Sequence, residues 1–492
     1  MNHSIPERYL KLAVLLIAIG IGLLIPIKII SLGYLPLDDA LRHAAKAVSG
    51  KAWSDVLVLN PSYLGDEHPG WHAILSGIYK VTGCSTDGLV SISIAGLFCV
   101  FWLSLLVGQR RPDAVLYALL ICVFFTGAYV RWMFGRPFIL MDACIVVLLR
   151  LWGQELLHAA SCICPSCTIP ISKTKIGITF GIFAVSAWVH ESWYLYALLI
   201  GVFLLVGRVR DFAYLSLCWV GGTLLGATLT GHPFSYLWET FHLVWGAIFP
   251  EKVMQRMATI EFQPSTGDAT LVIIVGIMLL WRKARGAWRN SAIYNPTFAL
   301  AVIGWVLGLK VCRFWADWGY IALAVWLITE ITEALESSNW ELGRVRAVGT
   351  AGLAGLSIIF ITTQDSGSRW TNALNTTYIT QDNPAYQEWL PGTNGIIYSS
   401  DMRVFYNTFY KNPTAPWRYV LGFEPTIMAK DDLVTLRDIQ LSFGSDQAYT
   451  PWVNKMRPED RLVILDGPGG KPNITNLKWN YITNGIWIGK RP

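Results

Sequence analysis

The chain has 492 residues, is 53% hydrophobic and 15% charged, and carries a formal net charge of +6. Soluble domains are about 25% charged, so this composition, with a mean hydropathy of +0.42, excludes an ordinary water-soluble globular protein. The modest charge gives no basis for a nucleic-acid partner.

The first apolar run, about 10–32, is long enough for a bilayer, which takes about 20 apolar residues. It lacks a small-residue cleavage site and reads as a retained first helix rather than a signal peptide. Further runs follow at roughly 88–108, 113–130, 136–152, 175–189, 192–206, 211–230, 269–281, 297–312, 318–333 and 347–363, about eleven in all. The stretch 70–83 is apolar but short, and is expected to lie as a helix in the interface. Many of the 23 Trp sit beside expected span ends, where amphipathic rings prefer the headgroup level.

With the N-terminus inside, every expected inner loop is basic: Arg8 and Lys11, Arg110 and Arg111, Lys173 and Lys175, Arg208 and Arg210, Arg282 with Lys283, Arg285 and Arg289, and Arg344 with Arg346. That is the positive-inside pattern. It makes residues 1–363 a transmembrane module and puts the tail outside. Residues 364–492 are polar, punctuated by Pro and Gly, and long enough for a small domain. Gly395-Ile-Ile-Tyr-Ser and Arg461-Leu-Val-Ile-Leu-Asp read as buried strands, and Asp431-Asp-Leu-Val-Thr-Leu-Arg as a capped helix. The expected fold class is a mainly α polytopic membrane protein with a C-terminal α/β extracytoplasmic domain. The expected location is the bacterial inner membrane.

The first outer loop, 33–87, concentrates the ionisable residues. Asp38 and Asp39 follow the first span, and Asp66-Glu67-His68-Pro69 comes later in the same loop. An Asp at a helix start caps it and complements its dipole. A cap explains one acid, not two in succession. A base that deprotonates a hydroxyl at the membrane surface needs a carboxylate there, so Asp38 and Asp39 are the expected catalytic residues.

The pair Asp38-Asp39 with Arg42, the element Ser49-Gly50-Lys51-Ala52-Trp53 and the turn His68-Pro69-Gly70 together resemble the GT-C superfamily of membrane glycosyltransferases. They look most like its protein O-mannosyltransferase and aminoarabinose transferase branch. The motifs cover about 33–110. Gly70 stands where that branch has a second Pro, and Arg42 is one position off the usual spacing. The resemblance implies a GT-C fold. It implies transfer of a sugar from a polyprenyl-phosphate donor to a hydroxyl acceptor outside the membrane, usually with inversion. It also implies that Asp38 is the base and that Asp39 orients the loop.

A lipid phosphate needs cations near the membrane surface, and Arg binds it bidentately. Arg42, His68, Arg136 in Phe134-Gly-Arg-Pro-Phe and Arg313 in Val311-Cys-Arg-Phe-Trp-Ala-Asp are candidates. Snorkelling is the plain alternative for Arg136, and an i,i+4 pair with Asp317 for Arg313. Asp66 and Glu67 are further substrate-binding candidates. His190 and Glu191 at a span boundary are others, because ionisable groups at membrane depth usually face a cavity. Glu239 and His242 share a helix face, a weak metal signal. No metal site is assigned: the acidic pair suits transfer with a divalent cation and without one. Cys162, Cys164 and Cys167 with His158 have the donor types of a zinc site but not a standard spacing, so they read as plain loop cysteines. The rival reading is a transporter or flippase for a lipid-linked or sugar substrate. Such proteins often show internal repeats and midplane charges; here no repeat is evident and the charges crowd the outer loops.

Overall fold

An apolar segment in lipid has no water to satisfy its backbone, so it closes its own hydrogen bonds as a helix. The structure is a computed structural model. It describes residues 6–492 except 62, 64, 126, 154–170, 249–262, 266–267, 285, 287–291, 338–340, 342–343, 365–369, 371–373, 375, 377, 466–469 and 483–484. Among the described residues, Glu7–Ser31, Thr86–Leu106, Phe314–Ser337 and Val345–Thr362 are long and apolar enough to cross a membrane. Val209–Thr228 and Pro233–His242, bent by 110°, make a fifth if they are one broken span. Pro112–Phe125, Glu191–Leu205 and Pro296–Gly308 are apolar but shorter. The chain thus has the make-up of a polytopic membrane protein, mostly helical with a small sheet. Among the described residues four or five helices reach spanning length by themselves, and other expected spans form shorter helices. The expected span 113–130 shows why: its helix stops at Phe125, and Ala128–Met133 tighten into a 3-10 turn.

The chain divides into two compact units. One comprises Met1–Gly33, Glu67–Gly70 and Ile92–Ser366; the other comprises Tyr34–Asp66, Trp71–Ser91 and Gly367–Pro492.

In the first unit, close helix approach rests on small residues, as expected where lipid removes the hydrophobic drive between helices. Lys173–Val189 and Val209–Thr228 form an extensive pair. A Cβ on Gly222 would sit 2.6 Å from the Phe180 carbonyl oxygen and 2.8 Å from Phe183 Cβ, so only glycine fits that contact. Gly304 and Gly308 admit the segment Phe314–Gly319 in the same way. Gly22 admits the Trp102 ring, whose indole N–H donates to the Ala18 carbonyl at 2.8 Å.

In the second unit a five-stranded sheet runs in the order β2-β1-β3-β5-β4, with β1 Ile396–Tyr398, β2 Arg418–Tyr419, β3 Arg461–Ile464, β4 Lys478–Tyr481 and β5 Trp487–Lys490. β1 pairs parallel with β2 and β3, while β5 pairs antiparallel with β3 and β4. The outer edge of β2 is not left open. Val58 N–H donates to the Tyr419 carbonyl and Tyr419 N–H to the Val56 carbonyl, each at 2.9 Å. Asn60 N–H reaches the Ile427 carbonyl at 2.8 Å. Residues of the first loop therefore cover an edge that would otherwise offer unpaired backbone groups. Under this seam lies an aromatic core. Trp53 packs on Phe423 with centroids 4.8 Å apart, and Phe405 meets Phe409 and Tyr419 at 5.4 and 5.3 Å. That core is the bed for the helix Asp39–Ser49.

Candidate active site

Asp38 opens the helix Asp39–Ser49. Its backbone is extended and its Oδ1 accepts the Asp39 N–H at 2.7 Å, while Gly50 at φ 63° ends the helix in the left-handed region. The helix carries Asp39, Arg42, His43 and Lys46 at three- and four-residue spacing, hence on one face. Asp39 Oδ1 accepts from Arg42 Nε at 3.0 Å and from the Tyr406 hydroxyl at 2.7 Å. The Arg42 guanidinium is 6% exposed and lies 4.3 Å from the centroid of the Phe423 ring, a cation–π contact. Ion pair, phenol and ring fix the start of this helix within the second unit.

One turn further on, His43 Nδ1 lies 2.8 Å from His72 Nε2, and His72 Nδ1 lies 2.6 Å from Asp66 Oδ2. Both rings are buried, and His72 also packs edge-on against Trp53 at 5.9 Å. Burial pushes the His72 imidazole below its ordinary value of 6.5, opposed by the Asp66 carboxylate. Burial likewise lowers Lys46, opposed by Asp66 and Asp55. Lys46 lies 5.2 Å from the centroid of the Trp53 ring.

The expected acidic turn therefore serves two places: Asp66 belongs to the second unit, Glu67 and His68 to the first. In the first unit the His68 and His190 rings meet edge-on at 4.8 Å. His190 ends the helix Lys173–Val189 and caps the 3-10 turn Glu191–Leu195. Its Nδ1 accepts the Ser192 N–H at 3.2 Å and lies 2.7 Å from Ser192 Oγ. A backbone N–H can only donate, so Nδ1 carries the lone pair and the neutral ring holds its proton on Nε2. Glu67 and Glu191 are buried, and both act electrostatically on Tyr194, as does Arg313. The His68–His190 and Glu67–Glu191 groups are thus gathered in one unit.

Arg313 does pair with Asp317, at 3.3 Å, and Arg131 reaches the other oxygen of that carboxylate at 2.8 Å. Asp317 lies in a π-helical turn, Phe314–Gly319, which widens the helix where it carries the acid. Asp142 is buried within electrostatic reach of Asp317, Arg131 and Arg313. Arg136 follows the positive-φ turn at Gly135 and is 5.7 Å from the centroid of the Phe134 ring. His242 stacks on Trp238 at 4.0 Å, and no group of three potential metal ligands exists among the described residues. The Cys162, Cys164, Cys167 and His158 cluster lies outside the described residues.

Sequence reasoning missed His43, His72, Tyr406 and Arg131. Two signals were present: His43 stands four residues after Asp39 on the same helix, and His72 follows Pro69 in the first turn of another.

No family model and no curated protein sequence matches the chain. Among solved structures, the chain is similar to the crystal structure of the Archaeoglobus fulgidus oligosaccharyltransferase in complex with zinc and sulfate. The TM-score is 0.46 and the identity 11%, over 91% of this chain and 67% of that one. A likeness of that degree assigns neither a family nor an activity.

Proposed function

We infer that the chain is a membrane glycosyltransferase of GT-C type, using a polyprenyl-phosphate sugar as donor and a hydroxyl group as acceptor. The observation that carries this reading is the acidic pair at the start of Asp39–Ser49: a buried Asp38 beside an Asp39 held by Arg42 and Tyr406. It stands in a chain with several membrane-length helices, directly after the first of them.

Asp39 is held in place by Arg42 Nε and the Tyr406 hydroxyl. Asp39 therefore orients the helix, and Asp38 is the base. In the transfer step the acceptor hydroxyl gives its proton to Asp38 while its oxygen bonds to the anomeric carbon. The bond from that carbon to the phosphate oxygen breaks, and the lipid phosphate leaves with the electron pair. Within the first unit, Arg136, Arg313, His68, His190, Glu67 and Glu191 stay the proposed substrate-binding residues.

The reading is tested by presenting purified protein in proteoliposomes with a panel of radiolabelled polyprenyl-phosphate sugars and a lipid, glycan and protein acceptor set. Label transferred to an acceptor hydroxyl is the expected result. Movement of the lipid or sugar across the bilayer without transfer to any acceptor contradicts it and favours a transporter.

A further inference from the structure

Asp66, His72 and His43 form a directed chain of hydrogen bonds inside one unit. An ionised carboxylate only accepts, so Asp66 Oδ2 takes the proton of His72 Nδ1 across 2.6 Å. In the neutral ring that burial favours, His72 Nε2 is then a lone pair, and it takes the proton of His43 Nδ1 across 2.8 Å. The inner end of the chain is accordingly the lone pair on His43 Nε2. Exposure changes along it: His43 is 0% exposed, the His72 side chain 7%, and the Asp66 side chain 24%. The chain runs from the interior of the unit to a carboxylate that meets water. Its inner end lies on the helix that begins with the acidic pair, four residues after Asp39 and on the same face.

We propose that His43, His72 and Asp66 are a proton wire that carries the proton released by glycosyl transfer from the acid-pair helix to solvent. In the relay Asp38 hands its proton to His43 Nε2 and is free again as base, and the His43 ring releases its Nδ1 proton to His72 Nε2. His72 then gives its Nδ1 proton to Asp66 Oδ2, and Asp66 loses it to water. One proton crosses, no electrons move, and both rings end in the opposite tautomer until they reset. The wire rests on the transferase reading for the source of its proton, because joining a hydroxyl to a sugar leaves one proton to dispose of. The charges that act on His72 are Lys46 and Arg42 on the His43 helix and the Asp66 carboxylate; Asp55 acts on Lys46, and the Tyr406 hydroxyl bonds to Asp39. Lys46 and Arg42 disfavour a cation on His72, and Asp66 favours it. The charge is therefore passed along rather than stored.

The test has two arms. In the first, nitrogen-15 spectra of histidine-labelled full-length protein in detergent read the protonation of each ring nitrogen. The expected pattern is protonated Nδ1 and unprotonated Nε2 on both His43 and His72, reversed in Asp66→Asn, whose amide can donate. In the second, His72→Gln keeps a hydrogen-bonding group but cannot relay, and His72→Ala opens space for a small base. Both should lose transfer rate by at least about tenfold, within the range of general acid–base effects. Added imidazole should restore His72→Ala in proportion to its concentration, which a structural role would not do. A reversed nitrogen pattern in the wild type, or a full wild-type rate in His72→Gln, overturns the wire. Wild-type protein with the expected pattern that transfers no sugar from any donor sinks the transferase reading while supporting the polarity of the chain.

Discussion

The Asp39 network makes a quantitative demand on stability. Asp39→Asn removes the negative charge with little change of shape, and takes the ion pair with Asp39 from the Arg42 side chain, which is 6% exposed and packs on Phe423. Breaking a fully buried ion pair costs about 3–5 kcal/mol. Here the Asp39 side chain is 23% exposed, so water shares the load and the expected loss is about 2 kcal/mol. Tyr406→Phe removes one donor, at 2.7 Å, to the same oxygen. It should cost about 1 kcal/mol, the ordinary net worth of a hydrogen bond. Because both partners share Oδ1, the double variant should depart from additivity by about 0.5 kcal/mol or more. The decisive comparison is Asp39→Asn with Asp39→Asn/Arg42→Met. The second change removes the buried cation that has lost its ion pair and keeps an apolar stem on Phe423, so the pair should be more stable than Asp39→Asn alone. Denaturant unfolding of the detergent-solubilised protein, followed by tryptophan fluorescence, gives each value. If the double variant is no more stable than Asp39→Asn, Arg42 is not the group that Asp39 satisfies.

Other outcomes follow from the same structure. His72 is depressed in the folded state by burial. Its contribution to stability is fully present above the unfolded value of about 6.5, and is lost as pH falls through the lower folded value. Unfolding measured between neutral and mildly acid pH should show that loss in the wild type and much less of it in His72→Gln. Gly222→Leu should drive its side chain into Phe180 and Phe183 and lower stability by about 1–3 kcal/mol. A thermal melt unchanged from wild type would mean that the Lys173–Val189 and Val209–Thr228 pair is looser than described.

The sequence made the helical character and the acid-pair helix readable for local reasons. Apolar runs of spanning length have few other fates, and Asp38-Asp39 followed by Arg42 is both a cap and a three-residue ion pair. The Arg313–Asp317 pair was readable in the same way, at four-residue spacing. What escaped was non-local. Nothing in Val56–Asn60 announces that its backbone will bond to Tyr419 and Ile427. Nor does the sequence bring His43 to His72, or Tyr406 to Asp39, since those meetings depend on the packing of distant segments on one aromatic core. Hydropathy also averages across breaks, so an apolar run does not show where one helix ends and the next begins. Pro112–Phe125 and Ala128–Met133 share one apolar run but are separate elements.

The claim that Asp38 is the base is tested most directly by comparing Asp38→Asn with Asp38→Ala for both stability and sugar transfer. Asparagine caps a helix about as well as aspartate, whereas alanine costs about 1 kcal/mol. The account predicts that Asp38→Asn melts like the wild type and binds donor, yet transfers at least about a hundredfold more slowly, the low end of the loss for a missing general base. Asp38→Ala should be both inactive and less stable. Transfer by Asp38→Asn at the wild-type rate would contradict the account.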